Sequence, residues 1–153
     1  KVEFETNDLI QECISLYKMK AMQKNIEIDY VETKTLATAI ADMDIFKTIL
    51  RNLISNALKF SWENSKIVIS QSVVNDEIVV AVKDSGTGIK PEDQKKLLSD
   101  REHFTTYGTN QEKGTGLGLQ LSFDLARHNQ GNLWFESEFG NGSTFYFSVP
   151  VKK

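Results

Sequence analysis

Six of the nine glycines in this 153-residue chain fall between Gly86 and Gly118, a stretch with almost no apolar periodicity until Leu117. Neither a strand nor a helix is legible across it, whereas both flanks carry clear periodic elements. Segments this long without regular structure are uncommon in compact domains unless they bind something or close over it, so the stretch reads as a long functional loop. The rest of the chain must supply the scaffold.

Upstream, Val2 to Glu5 alternate apolar and polar, and Thr6, Asn7 and Asp8 offer N-cap chemistry. The spacing of Ile10, Cys13, Ile14, Tyr17 and Ala21 predicts an amphipathic helix over residues 8–24. Ile26, Ile28 and Tyr30 alternate as a half-buried strand does, and Ala37 to Ala41 reads as a second short strand. Asp42 or Asp44 caps a helix reaching about Phe60, with Phe46, Ile49, Leu50, Leu53, Ile54 and Ala57 as its apolar arc. Ile67 to Val74 and Ile78 to Val82 form a hairpin around Asn75-Asp76. Beyond the loop, Leu117, Leu121 and Leu125 start a last helix that ends before Gly131. Leu133 to Glu138 and Thr144 to Val149 make a second hairpin around Gly140-Asn141-Gly142. This order predicts one domain over residues 1–153, an α/β (α+β) two-layer sandwich with helices covering one face of a mixed sheet.

Composition narrows the function. A chain of this length buries roughly 68–70% of its unfolded surface and needs no staple. The single cysteine, Cys13, excludes an internal disulfide and Cys₄ or Cys₂His₂ zinc sites, and it fits a reducing compartment or indifference to redox. A net charge of −3 gives no global pull toward nucleic acid or anionic lipid, so a polyanion must be held locally. No apolar run approaches the ~20 residues of a membrane span. The chain opens on Lys1 rather than Met, which predicts a fragment whose parent carries any membrane anchor elsewhere.

On the helix ending at Phe60, Asn52, Asn56 and Lys59 share roughly 60° of arc at about 100° per residue, beside Thr48 and Ser55. A solvated face is one reading. Against it, asparagine is a poor helix former that prefers caps and turns, and two stand in this helix interior. A carboxamide oxygen ligates a hard cation such as Mg²⁺, and a nearby lysine neutralises phosphate. The strand at Ile78–Val82 runs into Lys83-Asp84-Ser85-Gly86-Thr87-Gly88-Ile89. A capped turn accounts for that motif; so does a carboxylate that accepts a hydrogen bond from a ligand's amino group, with glycines that let backbone approach the ring. Gly114-Thr115-Gly116-Leu117-Gly118-Leu119 is a glycine-rich turn opening a helix, which points free N–H groups at an anion, and Lys113 stands just before it. It is neither a Walker A loop nor a dinucleotide fingerprint.

Together these segments, in this order and spacing, with Gly140-Asn141-Gly142-Ser143-Thr144-Phe145 after them, resemble the catalytic ATP-binding domain of sensor histidine kinases over nearly the whole chain. The resemblance implies the ATP-binding fold of the GHKL superfamily, shared with DNA gyrase and the mismatch-repair and heat-shock chaperone ATPases. It implies ATP and Mg²⁺ as cofactors. Asn56 would ligate the metal, Asn52 would lie near the phosphates, and Lys59 would contact them. Phe60 would flank the adenine, Asp84 would receive its amino group, and Thr144 would support that contact. Gly86, Gly88 and Ile89 would floor the base pocket. Gly114, Thr115, Gly116, Leu117, Gly118 and Leu119, with Lys113, would face the phosphates. Residues 90–113 match a mobile lid in which Thr105 and Thr106 follow Phe104, although the family's second Phe and Pro are missing there.

Superfamily members that hydrolyse ATP or phosphorylate serine place a Glu one turn before the metal Asn. Here that position is Asn52, and an amide cannot take a proton at neutral pH, whereas imidazole attacks phosphorus without first losing one. This favours transfer to histidine over hydrolysis, and the resemblance implies Asn52 and Lys59 as the catalytic residues of that phosphotransferase. Neither His103 nor His128 carries the acidic, Arg and Pro neighbours of the family's phosphoacceptor. The resemblance therefore implies a donor whose acceptor lies on separate dimerisation helices of the same parent. It further implies a response regulator downstream, a cytoplasmic setting, and neither nucleic-acid nor direct membrane contact. An ATP-hydrolysing clamp and a catalytically inactive nucleotide-binding module are the alternatives. Trp62 and Trp134 read as packing or interface residues, and Cys13 as core.

Overall fold

The computed structural model describes residues 1–31, 37–98 and 117–153. In chain order its elements are β1 (Val2–Glu5), α1 (Thr6–Gln23), β2 (Glu27–Val31), β3 (Thr38–Ala41), α2 (Met43–Phe60), β4 (Lys66–Val74), β5 (Glu77–Asp84), α3 (Pro91–Leu97), α4 (Leu117–His128), β6 (Leu133–Glu138) and β7 (Gly142–Pro150). Five strands form one sheet in the order β2-β4-β5-β7-β6. The β2–β4 pair is parallel and the other pairs are antiparallel, so the sheet is mixed. β1 and β3 pair separately, and an Ala39–Val151 bridge ties them to the end of β7.

α2 lies between α1 and α4 and packs on the sheet at β5. Its first turn is capped by Asp42, whose side chain accepts from the Ile45 N–H at 3.1 Å. Phe46, Ile49, Leu50, Leu53 and Ile54 on its inner face are all at most 1% exposed, each burial contributing about 1.5–3 kcal/mol. Phe46 also joins Phe4 and Phe147 edge to face at 5.4 and 5.1 Å, linking both sheets through α2. The sandwich predicted from element order is the one observed. Asn75 and Asp76 both take positive φ, the two-residue hairpin geometry their identities favour.

Three local expectations are corrected. α1 begins at Thr6, and its N-cap, Glu5, makes no side-chain cap bond. Thr6 and Asn7 instead reach into the fold: Thr6 Oγ1 donates to Gln71 Oε1, and Asn7 Oδ1 accepts from Gln71 Nε2 and the Tyr30 hydroxyl. Part of the predicted loop is helical, because Pro91 at the start of α3, acidic Glu92 and Asp93, and basic Lys95 and Lys96 supply end chemistry while only Leu97 is buried. α4 turns Leu121 outward, 49% exposed, and buries Ser122 and Ala126. Its inner side mixes Ala126, Leu119, Phe123 and Leu125, packed on the core, with the buried Ser122, and Asn129, just past its end, donates to the Asp42 carbonyl and accepts from the Asp42 N–H. Cys13 is core, and burial pushes its thiol up to about 11. Trp62 is exposed, and Trp134 stacks on Tyr146 at 5.4 Å.

Candidate active site

β5 ends at Asp84, directly opposite Ser143 of β7. The Asp84 side chain is 6% exposed and its Oδ1 accepts from two backbone amides, Gly86 at 2.9 Å and Ser143 at 3.2 Å. Among the described residues Oδ2 takes no such bond, which leaves an acceptor for a ligand. Burial pushes the carboxyl up to about 6, against the opposing pull of the two amides. The following turn is pressed onto the end of α2: the Thr87 N–H donates to the Phe60 carbonyl at 3.2 Å. A Cβ on Gly86 would stand 2.0 Å from that carbonyl oxygen, so only glycine fits. Gly88 has φ +68° and lies equally close to the Glu138 carbonyl.

Asn56, Phe60, Asp84, Gly88, Ile89 and Leu119, six of the predicted residues, line one cavity of about 240 Å³. Leu97, Phe139 and Phe145 complete its apolar wall, and Thr87, Lys90, Asp93 and Ser143 add polar atoms. The other predicted residues that the structure describes do not line it. Asn52 turns toward α4, its Nδ2 donating to the Gly118 carbonyl at 3.3 Å and to Ser122 Oγ at 3.0 Å. Lys59 does not line the cavity; its ammonium lies 4.9 Å from the centre of the Phe60 ring. Gly86 does not line the cavity; it packs against the Phe60 carbonyl. Among the described residues, the nearest atoms to a Cβ on Gly118 belong to the Asn52 side chain, at an ordinary 3.8 Å. The backbone of Leu117 opens α4. Thr105, Thr106, Lys113, Gly114, Thr115 and Gly116 lie outside the described residues.

Thr144 does not line the cavity; it pairs with Lys83 and hydrogen-bonds Tyr146, while its neighbour Ser143 lines the cavity and donates its backbone N–H to Asp84. Ser143 Oγ also lies 2.8 Å from Ser137 Oγ, which accepts from the Ile89 N–H. Gln94 of α3 donates to the Ile89 carbonyl at 2.8 Å and to the Ser137 carbonyl at 3.2 Å. Ser137, Gln94 and Phe139 carried no motif; β6–β7 register is the signal that finds Ser137, which pairs with Ser143.

Residues 41–153 match the family of histidine kinase-, DNA gyrase B- and HSP90-like ATPases. The adaptive-response sensory kinase SasA of Synechocystis sp. is 31% identical over 145 residues, 94% of this chain and 37% of SasA, so the chain spans little more than a third of that relative. The catalytic domain of histidine kinase ThkA superimposes with a TM-score of 0.82 at 30% identity, covering 97% of this chain and 95% of that domain. Full-length ShkA in complex with AMPPNP gives a TM-score of 0.82 at 25% identity, covering 99% of this chain and 31% of ShkA. ThkA has also been solved in complex with the response regulator protein TrrA; there the TM-score is 0.79 at 29% identity, over 99% of this chain and 42% of that one. The chain belongs to this ATPase family, as a catalytic domain of the histidine kinase type.

Proposed function

We propose that this chain binds ATP with Mg²⁺ and donates the γ-phosphoryl group to a histidine on separate dimerisation helices of its parent protein. Asp84 Oδ2, in a cavity with apolar walls, suits the exocyclic amino group of adenine, and Phe60 and Ile89 offer faces to its ring. The ShkA complex with AMPPNP supports a nucleotide in this fold.

The residues present fit a metal shared with phosphates. Among the described residues no three His, Cys, Asp or Glu side chains are grouped to cage an ion, whereas the Asn56 carboxamide at the cavity offers one hard oxygen of the kind Mg²⁺ accepts beside phosphate ligands. Bound there, the ion would neutralise charge on the transferring phosphoryl group. Asn52 carries the choice of reaction. It is an amide whose nitrogen is engaged by α4, so no general base stands one turn before Asn56. A histidine nucleophile needs none.

The ThkA–TrrA complex supports a response regulator as the downstream partner. No described helix is long and apolar enough to cross a membrane, and a cytoplasmic setting follows from the proposed reaction. The test mixes the chain with ATP, Mg²⁺ and the parent's histidine-bearing helical fragment. Acid-labile phosphate on that fragment, with slow ATP turnover by the chain alone, is expected. Rapid turnover by the isolated chain would establish a hydrolysing clamp instead, and tight ATP binding without transfer an inactive module.

A further inference from the structure

The last four carbonyls of α2 are each satisfied, three of them from distant residues. Ala57 accepts from the Ser61 N–H at 2.9 Å, and Phe60 accepts from Thr87. The two between them, Leu58 and Lys59, accept from the Lys24 ammonium at 2.9 and 3.1 Å. Lys24 is the C-cap residue of α1 and only 7% exposed. Burying an ammonium is costly unless acceptors meet it. Here they do, at the end of α2 where aligned peptide dipoles concentrate negative charge. The turn that carries Lys24 is fastened to the turn after α2. Asn25 Nδ2 donates to Asn64 Oδ1, the Asn64 N–H donates to the Lys24 carbonyl at 3.4 Å, and the Glu27 N–H donates to the Ser65 carbonyl at 3.2 Å.

We propose that Lys24 is a positioning residue for the nucleotide site. Its ammonium fixes the last turn of α2, from which the Phe60 ring walls the base pocket and the Phe60 carbonyl holds the Thr87 N–H. Lys24 does not line the cavity and acts through Phe60. The proposal rests on reading that cavity as a nucleotide site, and it differs from a general packing role in where the loss is felt. Without the ammonium, two carbonyls lose a charged donor, and the strain falls on the next hydrogen bond along, Phe60 to Thr87, while the sheet interior is untouched.

The test compares wild type with Lys24→Met, which keeps most of the stem and deletes the charge, and Lys24→Arg, which restores charged donors. ADP affinity is read by calorimetry, and amide hydrogen exchange at Thr87 and at Val80, a core strand residue, by NMR. Lys24→Met is expected to weaken ADP binding about tenfold and speed exchange at Thr87 by a similar factor, the size expected when charge-assisted bonds are lost. Val80 should be unchanged, and Lys24→Arg should recover most of both effects. Unaltered ADP binding with Thr87 still protected overturns the proposal, as does equal acceleration at Val80, which marks global loosening. Should Lys24→Met not fold, Lys24→Gln, neutral with a shorter donor, is measured by the same criteria. If wild type itself binds no ADP, the nucleotide reading fails, while Thr87 exchange still decides whether Lys24 holds the helix end.

Discussion

Asp84 is held where its charge is unwelcome until a ligand arrives. Its carboxyl moves from an ordinary 3.8 to about 6 because the cavity floor excludes water. Between those values the native state keeps a proton that the unfolded state has released, so this group makes the empty domain less stable as pH rises through the window. Asp84→Asn keeps an oxygen for the Gly86 and Ser143 amides and removes the charge. The variant should be more stable than wild type above about pH 6, by an order of 2–3 kcal/mol, with no gain below about pH 4. Urea unfolding across that range checks it; a stability difference independent of pH would show that Asp84 is not the group responsible. On the proposed function the same substitution would turn a donor toward adenine's amino group and abolish nucleotide binding, so stability and function would part at one atom. Gly86→Ala argues from space instead. Its Cβ would overlap the Phe60 carbonyl oxygen, costing more than about 2 kcal/mol and the base pocket with it. Gly118→Ala, whose nearest described neighbour is Asn52 at ordinary contact, should be neutral or stabilising by up to about 1 kcal/mol. Thermal melts of the two alanines separate the glycine that a close approach requires from the one that it does not.

α2 and α4 are joined by polar side chains as well as by apolar packing, which explains what sequence could and could not tell. The apolar arc of α2 is nearly continuous, so its existence, its inner face and its stripe of asparagines are legible from spacing alone. α4 follows a different rule: Leu121 is exposed while Ser122, fully buried, donates to the Gly118 carbonyl at 2.8 Å and receives the Asn52 amide. Hydrophobic periodicity cannot find a face built that way. The same limit hid α3, which buries one leucine, and put Thr144 one residue away from Ser143, since register depends on the partner strand. Asn52→Asp tests the joint. A carboxylate there cannot donate to Gly118, and Ser122 can turn to meet it only by releasing that carbonyl. A loss of about 1–3 kcal/mol at neutral pH is expected in urea unfolding, the range for a buried acceptor left unpaired. Wild-type stability in the variant would mean that α2 and α4 are held by apolar packing alone.

At the scale of the whole molecule, a chain of net charge −3 must hold a polyanion without a basic surface. On the function proposed above, the base would sit in the cavity at the end of β5 and the phosphates would lie outside it. The two parts should respond differently to salt. Exposed charges more than a Debye length apart are screened, whereas hydrogen bonds inside a dry pocket are not. Raising NaCl from about 0.05 M to about 0.5 M should leave adenosine affinity within about twofold and weaken ADP several-fold. Competition binding with both ligands on one preparation reads the difference directly. Equal weakening of the two would place the base outside the Asp84 cavity, because a base held there by a buried carboxylate oxygen and apolar walls would be little affected by salt.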